Sequence, residues 1–268
     1  MVFSSTAILS QEFYGNSTAM VKRHLMSIIM GLMCFIAVTK FNPLKLKIIA
    51  IPALLLSILL LITVLIPGVG RSAGGAQRWI SLGFIRLQPG ELAKLCMVLY
   101  VAAYIDTHFS RMKNFTEGAL VPLGLIGLVG GLLLLEPDFG TTAVIGIVVF
   151  GQLLIASRIR HLFSIGIIGV LSAAVLIMQS PYRMKRLMAF LDPFSVASTS
   201  GYQLIQSLIA IGSGGVSGLG LGASKQKLFY LPAAHTDFIF AVISEELGLL
   251  GALSVSYTHL TLPTICSV

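Results

Sequence analysis

Residues 228–251 read LFYLPAAHTDFIFAVISEELGLLG. A loop opens the stretch, and His235, Thr236 and Asp237 stand where an apolar run begins, so they are expected at a helix start. Glu245 and Glu246 follow two turns further on. At about 1.5 Å rise per residue they lie roughly 12 Å along that helix from Asp237. A carboxylate inside a bilayer costs at least about 2.5–3.5 kcal/mol. A membrane helix that carries all three acids therefore uses them or pairs them. Asp237 has two readings on this evidence. It is an N-cap, since Asp and Thr side chains accept hydrogen bonds from the unpaired N–H groups of a first turn, or it is a functional acid at the membrane–water boundary.

Composition sets the surroundings of this stretch. Only 10% of the 268 residues are charged and 56% are hydrophobic, whereas a soluble domain averages about 25% charged. With a mean hydropathy of +0.94, this is an integral membrane protein. The net charge of +8 comes from 18 basic residues scattered between apolar runs against 10 acids. That is no footprint for nucleic acid; it suits anionic membrane lipid headgroups or an anionic lipid substrate. The three cysteines, Cys34, Cys96 and Cys266, form neither a disulfide framework nor a metal-binding CxxC.

The expected fold is all-α, a polytopic membrane helix bundle. Apolar runs place seven spans at about 24–39, 48–66, 91–107, 118–135, 140–157, 162–179 and 238–254, close to the roughly 17–25 residues a crossing needs. Residues 1–10 are too short to cross and read as the end of a first helix. Gly127 and Gly131, in a GxxxG arrangement, are expected at a helix–helix contact. Two long polar-containing segments, 67–90 and 180–237, are expected on the outer side, with the short connections 40–47, 108–117 and 158–161 in the cytoplasm. Those short connections hold seven of the 18 basic residues, so a raw charge count favours the opposite topology. The positive-inside rule weighs short connections near helix ends, however, and the charges on the long segments are then kept outside for a purpose.

Within the outer segments several side chains stand out. The segment 67–90 begins with an irregular glycine-rich stretch that includes Gly74 and Gly75. Trp79, the only tryptophan, suits an aromatic belt at the interface. Pro89 is placed to start a helix, and Glu91 and Lys94 follow at i, i+3 on one face, where they can pair. Glu136 and Asp138 form a tight acidic turn between two spans. Residues 182–191 read as an amphipathic helix that puts Arg183 and Arg186 together; a snorkelling interfacial helix explains it as well as an anion site does. A second amphipathic stretch, 201–211, carries Gln203. The run GSGGVSGLGLGASK at 212–225 matches neither GxxxxGK[ST] nor GxGxxG, and is expected to be a flexible loop lining an outer cavity.

The motifs in order are QPGELAK at 88–94, EPDFGTT at 136–142, YRMKRLMAFLDPF at 182–194, GYQLIQSLIAIGSGG at 201–215 and LFYLPAAHTDFIFAVISEELG at 228–248. Together they resemble the SEDS family (shape, elongation, division and sporulation), polytopic membrane glycosyltransferases that polymerise lipid II into peptidoglycan strands. KLFYLP before the HTDF motif resembles the division branch more than the elongation branch. The resemblance implies that Asp237 is the catalytic acid and that Lys94 lies near it. It also implies release of undecaprenyl diphosphate with inversion, at the outer face of the bacterial cytoplasmic membrane. A base must take the acceptor hydroxyl proton, and positive charge must meet the leaving diphosphate. For substrate binding the chain offers Arg78, Arg86, Arg183, Arg186, Glu91, Gln203, His235 and Thr236. A class B penicillin-binding protein, a transpeptidase, is the implied partner, together with other membrane proteins of the division machinery. A divalent cation, magnesium or manganese, is plausible for the diphosphate, though no acidic cluster identifies a metal site. Gly90 stands where the family usually has serine, and Ala233 replaces a frequent acid.

Residues 255–268, VSYTHLTLPTICSV, lack an apolar period and resemble a translated sequencing adapter. They are expected to be foreign to a membrane domain spanning 1–254, with the natural protein longer at both ends. The competing functions are a lipid II flippase, for which Glu245 and Glu246 are the best evidence, an elongation-type polymerase, and a membrane scaffold.

Overall fold

A computed structural model describes residues 2–40, 42–68, 70–73, 76–82, 85–199 and 201–265. Gly74, Gly75, Cys266 and the side chain of Arg86 lie outside what it describes. Among the described residues ten α-helices run in chain order: α1 Val2–Tyr14, α2 Ala19–Thr39, α3 Pro43–Leu65, α4 Pro89–His108, α5 Val121–Leu135, α6 Phe139–Ala156, α7 Ile159–Met178, α8 Pro181–Leu191, α9 Tyr202–Ser213 and α10 Ile239–Ile265. Helices cover all seven expected spans. Among the described residues, six helical stretches are long and apolar enough to cross a membrane. The seventh, α4, carries Glu91, Lys94 and Asp106. The all-α membrane bundle holds.

Local chemistry explains the helix starts. Asn42 caps α3, its side chain accepting from Leu44 N at 3.0 Å, with Pro43 next in the first turn. Pro89 and Pro181 open α4 and α8 in the same way. Asp138 caps α6 by accepting from Thr141 N at 3.3 Å and from the Thr141 hydroxyl at 2.8 Å.

The chain divides into two compact units, residues 39–176 and residues 1–38 with 177–268. In the 39–176 unit, α3, α4, α5 and α6 share a core that includes Leu61, Ala93, Met97, Val101, Leu133, Val149 and Leu153. Lys47 pairs with Asp106 at 2.7 Å, and the Ser157 hydroxyl donates to Gly118 O at 2.7 Å. These bonds gather the short connections at one end of the unit. The segment expected to be irregular at the other end holds a three-stranded antiparallel sheet, β1 Gly70–Ala73, β2 Ala76–Leu82 and β3 Ile85–Leu87. Trp79 lies opposite Arg71, beside an irregularity in the β1–β2 register.

One packing expectation fails. A Cβ added at Gly127 or Gly131 would meet nothing within 4 Å, so among the described residues neither glycine serves a close helix contact. Gly130 does: its Cβ would stand 3.0 Å from Thr142 Cγ2, and it is buried where α5 packs on α6.

In the other unit α9 packs on α10, and Ala210, Leu231, Ala234, Ala241 and Val242 form a small core with Phe238 beside it. α8 spans the expected amphipathic stretch; its Leu187, Met188, Phe190 and Leu191 are exposed, as an interfacial helix requires. α10 begins at Ile239, two residues after Asp237, and its backbone is helical through Ile265 except at Gly248, where φ is 65° and ψ is −162°.

Candidate functional site

Leu231 and Ala234 are buried between α9 and α10, and the residues that follow turn over them. Thr236 N and Phe238 N both donate to Ala233 O, at 3.1 and 3.3 Å. The turn leaves Thr236 and Asp237 exposed and His235 half-buried. Among the described residues the Asp237 carboxylate takes no hydrogen bond from the helix that follows, so the N-cap reading is not realised. The acid stands on a fixed turn with its oxygens available. The Thr236 hydroxyl donates to Ala233 O at 3.3 Å, which steadies the same turn.

Glu245 and Glu246 have a different place. Both are 1% exposed. The Glu245 carboxylate accepts from the Ser224 hydroxyl, from Lys225 N at 3.1 Å and from Gln226 N at 3.4 Å. Glu246 Oε1 pairs with Lys227 Nζ at 3.2 Å and accepts from the Ser4 hydroxyl at 2.7 Å. Main-chain bonds complete the attachment: Leu219 N and Gly220 N reach Glu245 O and Glu246 O at 3.0 Å, and Leu249 N reaches Gly215 O at 2.9 Å. The glycine-rich stretch is thus no free loop. It is a strap laid against the break in α10, and two of its glycines, Gly214 and Gly218, make close approaches to the α10 backbone. Gly218 (φ 78°) and Gly248 (φ 65°) meet backbone to backbone.

Sequence reasoning missed this arrangement and its partners Ser4, Ser224 and Lys227. The one local signal is a glycine-rich run and a glycine directly after a Glu-Glu-Leu. Nothing local says that the two meet.

In the same unit Arg186 lies over the Tyr182 ring at 4.7 Å, and Arg183 shares its helix. Gln203 is exposed on α9. Its neighbour Gln206 accepts from Gln226 Nε2 at 3.3 Å, and the Tyr202 hydroxyl donates to Tyr230 O at 2.9 Å, so the base of the HTD turn is tied to α9.

In the 39–176 unit, Arg78 on β2 clasps the acidic turn. Its Nε donates to Glu136 O at 3.2 Å, Nη2 donates to Pro137 O, and Nη1 lies 3.8 Å from Asp138 Oδ1. Expected as a substrate-binding residue, Arg78 spends these donors on the protein itself. Asp138 likewise serves as a cap. Glu136 is 2% exposed and its Oε1 has no hydrogen-bond partner among the described residues. Burial above all, and then the neighbouring Asp138, push its carboxyl up to about 7 against the opposing pull of Arg78.

Glu91 and Lys94 form the expected pair, at 2.7 Å. Lys94 also borders an apolar groove with Met97, Val144 and Val148. A Cβ at Gly90 would lie 3.2 Å from Leu133 Cδ2 and 3.7 Å from Asp138 Oδ2, so the QPGELAK and EPDFGTT motifs meet there. Lys94 and Asp237 belong to different units. Among the described residues no three His, Cys, Asp or Glu side chains gather to hold a metal.

A probable peptidoglycan glycosyltransferase FtsW of Legionella pneumophila is 43% identical over 256 residues, covering 95% of this chain and 65% of that protein. Another of that description, from Nitrosococcus halophilus, is 43% identical and matched over 66% of its length. A third, from Alkalilimnicola ehrlichii, is 50% identical over 205 residues, which are 75% of this chain and 51% of that protein. The chain thus spans just under two thirds of the length of the first two and half of the third. Among solved structures, a chain from a peptidoglycan synthase complex that coordinates polymerization and crosslinking superposes with a TM-score of 0.71 at 26% identity, covering 98% of this chain and 73% of that one. The rod shape determining protein RodA of Thermus thermophilus superposes with a TM-score of 0.59 at 25% identity, covering 98% and 70%. The model of the cell cycle protein family FTSW_RODA_SPOVE matches residues 1–263, and with these relatives beside it the chain belongs to that family.

Proposed function

We propose that the protein is a division-type peptidoglycan glycosyltransferase that polymerises lipid II at the outer face of the bacterial cytoplasmic membrane, together with a class B penicillin-binding protein. The carrying observation is Asp237, an exposed acid held on a fixed turn at a helix start without being used as its cap. The names of the FtsW relatives support the reaction class and the division role. The solved synthase complex supports a partner that crosslinks.

In this reaction the acceptor sugar hydroxyl attacks the anomeric carbon of the donor. The new C–O bond forms as the bond to the diphosphate breaks, and the hydroxyl proton passes to the Asp237 carboxylate. The leaving diphosphate takes both electrons of the broken bond and needs fixed positive charge. Arg183 and Arg186 on the amphipathic α8 suit that task in one unit, and Lys94 at the start of α4 in the other. Arg86 and Gln203 are further candidates for substrate contacts. Magnesium or manganese would supply charge at the diphosphate; among the described residues no three His, Cys, Asp or Glu side chains gather to hold it. In this reading the long segments 67–90 and 180–237 lie outside, carrying Arg86, Arg183, Arg186, Gln203 and Asp237, with Lys94 four residues beyond the first of them.

A flippase reading leaned on Glu245 and Glu246, and both are bonded to the strap. The test is lipid II polymerisation by the membrane protein purified with its transpeptidase partner, wild type against Asp237→Asn. Loss of glycan strands with folding and partner binding intact is expected. Polymerisation near the wild-type rate would overturn the assignment, and lipid II flipping would then be assayed.

A further inference from the structure

Glu245 and Asp237 sit on the same short circuit of chain. From Glu245 the path runs back down α10 to Asp237, through the buried Leu231 and Ala234 to the turn Gln226–Tyr230, and on to Ser224. The Glu245 carboxylate then closes the circuit, joining residues 19, 20 and 21 positions away in sequence. Asp237 lies inside the closed loop. A free loop of that length would let the acid sample many positions, and closing it removes that freedom.

The chemistry of the closure is specific. All three groups that face Glu245 are donors: one hydroxyl and two backbone N–H groups. Only a carboxylate, which accepts at both oxygens, satisfies all three. Among the described residues Lys227 pairs with Glu246 and no cation pairs with Glu245, whose two oxygens are met by these donors. An amide at this position keeps the shape, but its NH2 would face one of the N–H groups.

We propose that Glu245 is a positioning residue for Asp237: its carboxylate clamps the strap at Ser224–Gln226 and thereby sets where the HTD turn holds the acid. This rests on the reading of Asp237 as the general base. A misplacement of about 1 Å at a reacting group costs roughly a hundredfold in rate, so the clamp governs turnover more than substrate binding.

The experiment compares wild type, Glu245→Gln, Ser224→Ala and Asp237→Asn in the membrane protein purified with its partner. It measures kcat and KM for lipid II polymerisation, the melting temperature and amide hydrogen exchange at residues 224–231. For Glu245→Gln the expected result is faster exchange in that segment and a kcat lower by roughly tenfold to a hundredfold, with KM within about twofold. Ser224→Ala removes one donor and keeps the charge, so it folds even if Glu245→Gln does not. Its expected kcat is lower by a few fold. A wild-type kcat in either folded variant overturns the proposal, as does unchanged exchange at 224–231. If Asp237→Asn is inactive while Glu245→Gln is normal, only the clamp fails. If Asp237→Asn polymerises normally, the base assignment fails and the clamp's role falls with it.

Discussion

Replacing Gly248 by alanine strikes the point where α10 breaks and the strap crosses it. At φ 65° and ψ −162° the residue occupies a region open almost only to glycine, and a side chain there costs on the order of 1–3 kcal/mol. A Cβ would also collide with Gly218 N and stand 2.5 Å from Val216 O. Both are backbone atoms, which cannot swing aside as a side chain would. Moving the strap to make room endangers the bonds from Leu249 N to Gly215 O at 2.9 Å and from Leu219 N to Glu245 O at 3.0 Å, each worth about 1 kcal/mol. The sum is roughly 3–5 kcal/mol, or ~10 °C in melting temperature for a chain of this size. The assay is thermal unfolding of the purified protein, with Gly131→Ala as the control. A Cβ at Gly131 meets nothing within 4 Å, and a mid-helix glycine replaced by alanine is neutral or stabilising by up to about 1 kcal/mol. Gly218→Ala strikes the same contact from the other side, so the double variant loses less than the two single losses added. The reasoning is refuted if Gly248→Ala melts with Gly131→Ala, or if the Gly218 and Gly248 losses simply add.

Two further predictions concern the acidic turn. The Glu136 carboxyl is raised from 4.5 to about 7 in the folded protein, so the folded state binds the proton more tightly than the unfolded one. The stability this provides is full below pH 4.5 and is lost as pH rises to about 7, a change on the order of 3 kcal/mol. Glu136→Gln therefore melts like wild type at low pH and above it at pH ~8; a melting difference that does not change with pH contradicts this. Gly90→Ser puts a Cβ 3.2 Å from a Leu133 methyl and within reach of Asp138 Oδ2 at 3.7 Å. The methyl gives way by a few tenths of an ångström and the hydroxyl bonds the carboxylate, for a gain of about 1 kcal/mol in thermal unfolding, whereas a loss would show that Leu133 cannot yield.

The sequence by itself determined the spans, because a bilayer demands long apolar runs and these are local in the chain. It determined the amphipathic α8 and α9, the proline start of α4, and the Glu91–Lys94 pair, since each depends on residues within a turn or two of one another. It also carried the ordered motifs that mark the family.

Only the tertiary structure decided what the polar groups touch. Arg78 was a candidate for substrate until β2 brought it to a turn some 60 residues away, at Glu136 and Pro137. Asp237 could cap α10 or stand clear of it, and the turn over Ala233 settled that by starting the helix two residues later. Glu245 and Glu246, acids that a span must use or pair, find their donors at Ser224–Lys227 and, for Glu246, also at Ser4. Burial makes such partners obligatory, because an unpaired carboxylate away from water is too costly to keep. The chain meets that demand with residues about 20 positions away for Glu245, and with Ser4 from the far end of the sequence for Glu246. Local pattern carries the need for a partner; long-range folding chooses which one.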